Sequence, residues 1–356
     1  MEKGILVLED GTTFEGRSCG VSGEVCGEVV FQTGVVGYQE ILTTPSYRGQ
    51  LVALTYPLIG NYGTNAQDGE STAVHPRGLI IKELSPIFSN FRAERSLAEF
   101  IRENRLVAIE GIDTRALAVH LRDHGEKKGI VSTRDFDAAK LQKKLKNAPS
   151  PYEEDLISQT TPQKMISPQG KRRISVAAMD FGLTRSLVDQ CTALDCSLIR
   201  FPAYAKTAEI LKTKPHGILL SPGPGDPNRE PRVVEEIKKL TSSGLPILGV
   251  GLGHQFLGMA LGAKASRMPL GHRSNNQPVR EIARPRSLIT SQSHSFVLEV
   301  SEDADCRVTH VNLNDQTVEG IESKKNPKVF SVQFIPQWED CDKPNPVIGK
   351  FLRSLS

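Results

Sequence analysis

Two glycine-rich turns and one Ser-His-Ser triplet are the places where this chain could do chemistry. The apolar run 245–250 feeds directly into Gly249-Val250-Gly251-Leu252-Gly253-His254-Gln255, followed by a helical pattern through Leu261. A strand that turns sharply into a helix exposes the side chain at the bend, and the helix N-terminus beside it lowers the pKa of a thiol placed there. The centre of this bend is Gly251, which has no side chain to expose. The second turn, Ser221-Pro222-Gly223-Pro224-Gly225-Asp226, ends another apolar run. It lacks the Lys-Ser/Thr that would make it a phosphate loop. Ser293-His294-Ser295 offers a Ser–His pair, but nothing supplies the third group that orients an imidazole. Cys341 is flanked by Asp340 and Asp342, whose charges raise a thiol pKa rather than lower it.

The elements that must position these residues alternate. From residue 174 the pattern reads strand 174–179, a helix from about Arg185, strand 197–201, strand 217–220, a helical face at Val233, Val234, Ile237 and Leu240, and strand 245–250. Strand–helix alternation with short loops implies a parallel sheet covered on both faces. Ligands in such sheets sit beyond the carboxyl ends of the strands, where both glycine-rich turns fall. The first 146 residues are instead strand-rich. Residues 5–8 and 12–15 flank Glu9-Asp10-Gly11, a hairpin signal, and further β-type runs lie at 29–31, 51–55 and 78–81. Ser96 with Glu99 forms a capping box, and a second helix is expected after Asp113-Thr114 with Leu117 and Leu121 on one face. Residues 147–172, with Pro149, Pro151, Pro162 and Pro168, read as a linker between an N-terminal domain (1–146) and a C-terminal one (173–356).

The 356 residues suit two domains. The 44 basic and 41 acidic residues give a net charge of +3, which offers no reason to expect nucleic acid or an anionic membrane as partner. No leader pattern or membrane-length apolar run is visible, so a cytoplasmic protein is expected. The six cysteines have no zinc or redox spacing, and no metal or cofactor is expected.

Several long strings carry a resemblance. Thr33-Gly34-Val35-Val36-Gly37-Tyr38-Gln39-Glu40-Ile41-Leu42 followed by Pro45-Ser46-Tyr47, Leu54-Thr55-Tyr56-Pro57-Leu58-Ile59-Gly60-Asn61-Tyr62-Gly63, and Gly111-Ile112-Asp113-Thr114-Arg115-Ala116-Leu117 resemble the small subunit of carbamoyl phosphate synthetase. So do Ser221–Pro227 taken as a string, Gly253-His254-Gln255, and Arg273 with Asn276-Gln277-Pro278. The resemblance spans nearly the whole chain. It implies an N-terminal domain that docks on a large synthetase subunit. It also implies a C-terminal class I glutamine amidotransferase-like domain that, in the family, releases ammonia from glutamine.

The same resemblance implies what this chain lacks. The family motif G-x-C-x-G puts a cysteine where Gly251 stands. A second motif, Q-F-H-P-E, corresponds to Gln333-Phe334-Ile335-Pro336-Gln337, so Ile335 replaces the base and Gln337 the orienting carboxylate. Loss of such members lowers rate by orders of magnitude, and the losses do not add. Of the glutamine pocket, Ser46, Gly223, Gly225, Leu252 and Gln255 still match. Ser293 and Ser295 depart from T-S-Q-N-H-G-F, while Phe296 keeps its place. Asp180-Phe181-Gly182-Leu183-Thr184-Arg185-Ser186 has likewise lost a Lys and an Asn, and His254 reads as structural. The expectation is therefore a silent small subunit, a structural or regulatory partner of an ammonia-using large subunit. Two alternatives stay open: a small-metabolite binder using the altered cleft, and an active amidotransferase with another nucleophile.

Overall fold

The computed structural model describes residues 2–168, 172–284, 286–338 and 343–355. They form two compact units, Met1–Leu156 with Pro269–Ser274, and Ile157–Met268 with Asn275–Ser356. The division falls inside the stretch 147–172. There Ser150 caps a single turn, Pro151–Glu153, and Leu156 and Ile157 are each 2% exposed.

The first unit contains β1 (Lys3–Leu8), β2 (Thr13–Ser18), β3 (Glu24–Gln32), β4 (Gln50–Leu54), β5 (Leu58–Ile59), β6 (Gly78–Ile80), β7 (Glu83–Leu84), β8 (Val107–Glu110) and β9 (Lys127–Ser132). The hairpin β1–β2 forms as the sequence suggests, with Val7 opposite Thr13. Strands in the order β1-β2-β8-β6-β4-β3-β9 close a barrel, and β1 pairs with β9 to remove the free edges. Alternation along β1 divides its side chains. Leu6 and Leu8 join one cluster with Val29, Leu51 and Ile80, while Ile5 and Val7 pack against Leu141 and Leu145. The helices are α1 (Tyr38–Thr43), α2 (Leu97–Glu103), α3 (Thr114–His124) and α4 (Ala138–Asn147). At α2 the Ser96 hydroxyl accepts from the Glu99 N–H and the Glu99 carboxylate accepts from the Ser96 N–H, the reciprocal cap expected. Asp113 caps α3, whose Leu117 and Leu121 are fully buried. The Pro269–Ser274 segment brings Arg273, whose buried guanidinium pairs with the Glu126 carboxylate.

The second unit contains β10 (Ile174–Asp180), α5 (Arg185–Ala193), β11 (Cys196–Pro202), α6 (Thr207–Lys212), β12 (Gly217–Leu220), α7 (Pro231–Thr241), β13 (Ile247–Val250) and α8 (Leu252–Ala260). Apart from α6, these are the strands and helices that the alternation predicts. They are followed by β14 (Lys264–Glu281), β15 (Arg286–Glu299), β16 (Cys306–Asn312), β17 (Val318–Ser323), β18 (Val329–Val332) and α9 (Pro346–Arg353). Among the described residues one sheet runs β11-β10-β12-β13-β18-β17-β15-β14-β16. It is parallel from β11 to β18, and β17, β15 and β16 pair antiparallel to their neighbours. Both faces of the parallel part are covered. Ala177, Met179, Ile218 and Leu220 pack with Ile237 and Phe256, and Val176, Ala178, Leu219 and Leu248 pack with Leu187, Ile348 and Phe351. This double coverage explains why β12 and β13 read as unbroken apolar runs. No helix among the described residues is long and apolar enough to cross a membrane.

Candidate functional site

The site lies at the carboxyl end of β13, in the second unit. Val250 ends the strand, Gly251 makes the bend and Leu252 opens α8. Gly251 has φ 57° and ψ −114°, a left-handed conformation that L side chains rarely adopt and that glycine occupies without a Cβ penalty. Its N–H donates to the Val332 carbonyl at 3.1 Å, and its own carbonyl accepts from His254 and Gln255. These bonds fasten the bend to β18 on one side and to the first turn of α8 on the other.

The neighbouring glycines have a different reason to be glycine. A Cβ on Gly253 would overlap the Leu220 carbonyl oxygen, and one on Gly249 would sit 2.6 Å from the Gly253 oxygen. A Cβ on Gly223 would lie 2.6 Å from the Phe181 oxygen. At Gly251 the nearest atoms to such a Cβ are Pro222 Cβ at 3.1 Å and Ile335 Cδ1 at 3.8 Å, so there is nearly room for a side chain. That contact joins the two glycine-rich turns. Ser221 braces the second one, its Oγ accepting from the Phe181 N–H and donating to the Pro222 carbonyl, each at 2.8 Å. Gly225 has φ 106°, again a glycine conformation. Asp180, fully buried, accepts from the Gly182 and Leu183 N–H groups and from Arg200, which holds the loop after β10.

Ile335 and Gln337 lie just beyond β18. Ile335 donates its N–H to the Ser291 carbonyl at 2.9 Å, a bridge to β15, and its methyl faces Gly251. Gln337 is exposed, and its carbonyl accepts from the Asn345 side chain at 2.8 Å. Gln190, fully buried in α5, donates to the Pro336 carbonyl and accepts from the Asn345 N–H. Pro222, Gln190 and Ser331 thus shape the site. Only the glycine-rich string around Pro222 gave any sign of this, since the partners of the other two are distant in sequence.

The histidines have other occupations. His254 is fully buried, with Nδ1 2.8 Å from the Ser331 hydroxyl. Burial, with His310 nearby, pushes its pKa down to about 3, so it is neutral. His294 Nδ1 lies 3.0 Å from the Phe296 carbonyl and Nε2 3.0 Å from Gln292 Oε1, so both ring nitrogens have partners. Alternation on β15 puts Ser293 and Ser295 on one face and Phe296 on the other. Gln255 reaches Phe296 by donating to its carbonyl at 3.0 Å, and Leu252 is buried at the start of α8. Ser46 belongs to the first unit, buried in the turn Pro45–Tyr47. The Ser293 hydroxyl is buried without a partner.

Among the described residues the free cysteines are Cys19, Cys26, Cys191, Cys196 and Cys306. Burial pushes the Cys19 thiol up to about 12 and raises those of Cys26 and Cys306. Cys191 is raised by its hydrogen bond with Cys196 and by burial. In Cys19, Cys26, Cys191 and Cys306 the shift is thus opposite to the one that a nucleophilic thiolate needs. Cys341 lies outside the described residues.

Comparison with known proteins gives the site its context. Residues 6–131 match the family model for the carbamoyl-phosphate synthase small chain, CPSase domain, and residues 177–339 match that for glutamine amidotransferase class-I. A carbamoyl phosphate synthase small chain from Syntrophotalea carbinolica is 43% identical over 98% of this chain and 96% of its own length. One from Clostridium perfringens is 41% identical over 96% and 95%. The pyrimidine-specific small chain of Bacillus subtilis is 40% identical over 93% and 90%. With such identity along nearly its whole length, this chain belongs to the carbamoyl phosphate synthase small-chain family.

Proposed function

We propose that this chain is a small chain that no longer hydrolyses glutamine and acts as a structural or regulatory partner of a large subunit using free ammonia. One observation carries the reading: at the elbow, Gly251 faces the methyl group of Ile335, where the mechanism requires a thiolate facing an imidazole. Glycine cannot form a thioester, isoleucine cannot take a proton, and the exposed amide of Gln337 carries no charge to orient a base. The Gly223, Gly225, Leu252 and Gln255 backbone frame remains, with Ser46 as a further family match, so the cleft is a vestigial glutamine pocket. The first unit keeps the family strings at 33–47, 54–63 and 111–117, which supports retained docking on a large subunit.

The test is ammonia release from glutamine by the pure chain, alone and with a candidate large subunit. The expected result is no release above blank in either case. The complex should copurify and make carbamoyl phosphate from ammonium but not from glutamine. Ammonia release by the pure chain overturns the reading and favours an amidotransferase with another nucleophile. Failure to bind any large subunit overturns the partner role. A second reading, binding of a small metabolite in the altered pocket, is favoured by the unpartnered Ser293 hydroxyl. A thermal-shift screen that finds no stabilising ligand counts against it.

A further inference from the structure

In the first unit, side chains of metal-binding type gather at the end of α3. His120 and His124 lie four residues apart in the string His120-Leu121-Arg122-Asp123-His124, in the last turns of the helix. Side chains at i and i+4 share a helix face, and two histidines at that spacing can hold one zinc-type ion between them. Their rings stack with centroids 4.6 Å apart. Asp10, in the turn of the β1–β2 hairpin, is the third group, its Oδ2 lying 2.7 Å from His120 Nε2. The cysteines have no zinc spacing, and here histidines carry the pattern instead.

The hydrogen bonds decide which ring nitrogens are available. Burial acts to raise the Asp10 pKa, but bonds from the Thr12 N–H and from His120 outweigh it and hold the carboxyl below its ordinary value, so at neutral pH it is a carboxylate. A carboxylate only accepts, so His120 Nε2 carries the hydrogen and, in the neutral ring, Nδ1 holds the lone pair. A backbone carbonyl also only accepts. His124 Nδ1 lies 2.9 Å from the His120 carbonyl, which leaves the lone pair on His124 Nε2. Neither His120 Nδ1 nor His124 Nε2 has a hydrogen-bond partner among the described residues. A carboxylate bonded to the far nitrogen of an imidazole fixes the ring and raises the basicity of the nitrogen that ligates. Both rings are within reach of solvent, since His124 is exposed and the His120 side chain is 21% exposed. The neighbouring cations are engaged, Arg122 with Asp123 and Lys127 with the His124 carbonyl. The carboxyl end of a helix also favours a positive charge.

We propose that His120 and His124 chelate one divalent transition-metal ion of the class that imidazole prefers, such as zinc or nickel, with Asp10 positioning the His120 ring. The ion binds through His120 Nδ1 and His124 Nε2, and water fills its remaining positions. Metallopeptidases with this spacing carry a glutamate base directly after the first histidine, and Leu121 stands there, so the site binds and does not hydrolyse. Because Asp10 belongs to the hairpin turn and the histidines to α3, the ion strengthens a link between those two elements. The site stands whether or not the elbow hydrolyses glutamine.

The experiment titrates the full-length chain with Ni²⁺ by calorimetry at neutral pH, with Mg²⁺ as comparator. Wild type should bind a Ni²⁺ ion that His124→Gln does not bind, and Mg²⁺, which prefers oxygen ligands, should not compete for it. His124 is exposed, so without metal His124→Gln should unfold at the wild-type midpoint. Ni²⁺ should raise the midpoint of wild type and leave that of His124→Gln where it was. Asp10→Asn, which keeps an acceptor but removes the charge, should weaken Ni²⁺ about tenfold. The proposal fails if His124→Gln binds Ni²⁺ as wild type does, or if wild type binds it no more tightly than about 1 mM. Equal competition by Mg²⁺ would overturn the imidazole site in favour of a carboxylate one, and unchanged affinity in Asp10→Asn would overturn the positioning role of Asp10.

Discussion

The frame of the elbow, Gly249 and Gly253, and its centre, Gly251, are two residues apart and obey different constraints. Gly249 and Gly253 are glycine because backbone oxygen occupies the space a Cβ would need, between strand and helix. Gly251 is not crowded in that way. Pro222 and Ile335 stand 3.1 and 3.8 Å from its missing Cβ, and what favours glycine there is the backbone angle. The frame is thus fixed by helix–sheet packing whatever the chemistry, whereas the residue at the centre is limited mainly by its backbone angle. A recognisable G-x-x-x-G frame is evidence for the fold and is silent on activity.

Four measurements break or sharpen this contrast. The largest effect should come from Gly253→Ala, which forces β12 and α8 apart and should destabilise by about 3 kcal/mol in chemical denaturation. A change under about 1 kcal/mol would show that the frame is not sterically fixed. Gly251→Cys should cost less, about 2 kcal/mol, because only the backbone conformation resists it. It should release no ammonia from glutamine, since Ile335 cannot accept a proton. Hydrolysis restored by this one change would refute the part assigned to Ile335.

The third measurement concerns His254, behind the frame. Its folded pKa of about 3 lies below the unfolded 6.5, so between those values the unfolded chain holds a proton that the folded chain does not. Its contribution to stability is full above pH 6.5 and declines as pH falls toward 3, with a slope of about 1.4 kcal/mol per pH unit. His254→Asn should remove that slope from stability measured between pH 6.5 and 4, and an unchanged slope would mean that His254 is charged in the fold. The smallest effect is expected from Ser293→Ala. Removing a buried hydroxyl without a partner should leave stability unchanged or raise it by up to about 1 kcal/mol. A clear loss would reveal a bond that Ser293 makes.

Legibility followed sequence distance. The β1–β2 hairpin, the Ser96/Glu99 box and the Asp113 cap are local, with partners within a few residues, and each formed as expected. The alternation from 174 to 261 was equally plain because each strand is buried on both faces. The barrel closure was not legible. Pairing of β1 with β9 joins Leu8 to Gly129, and nothing in either segment names the other. Nor did the strands beyond β13 announce themselves. The polar string of β14 hides a strand of 18 residues, of which Pro269–Ser274 belongs to the first unit and carries Arg273 to Glu126. Within the site, Gly251, Ile335 and Gln337 were found through motif register, whereas Gln190 and Ser331 act through partners that sequence spacing does not reveal.

By itself, the sequence determined which groups are present: no thiol at residue 251, no imidazole at 335, no carboxylate at 337, and glycine at each crowded point of the elbow. These are matters of composition at fixed positions, and no folding can add an absent atom. The tertiary structure decided which groups meet. It set the Ile335 methyl against Gly251, gave His254 to Ser331, and brought Gln190 of α5 to the Pro336 carbonyl. Such meetings depend on strand order and register across the sheet, which are fixed by the packing of the whole unit and not by any segment of it.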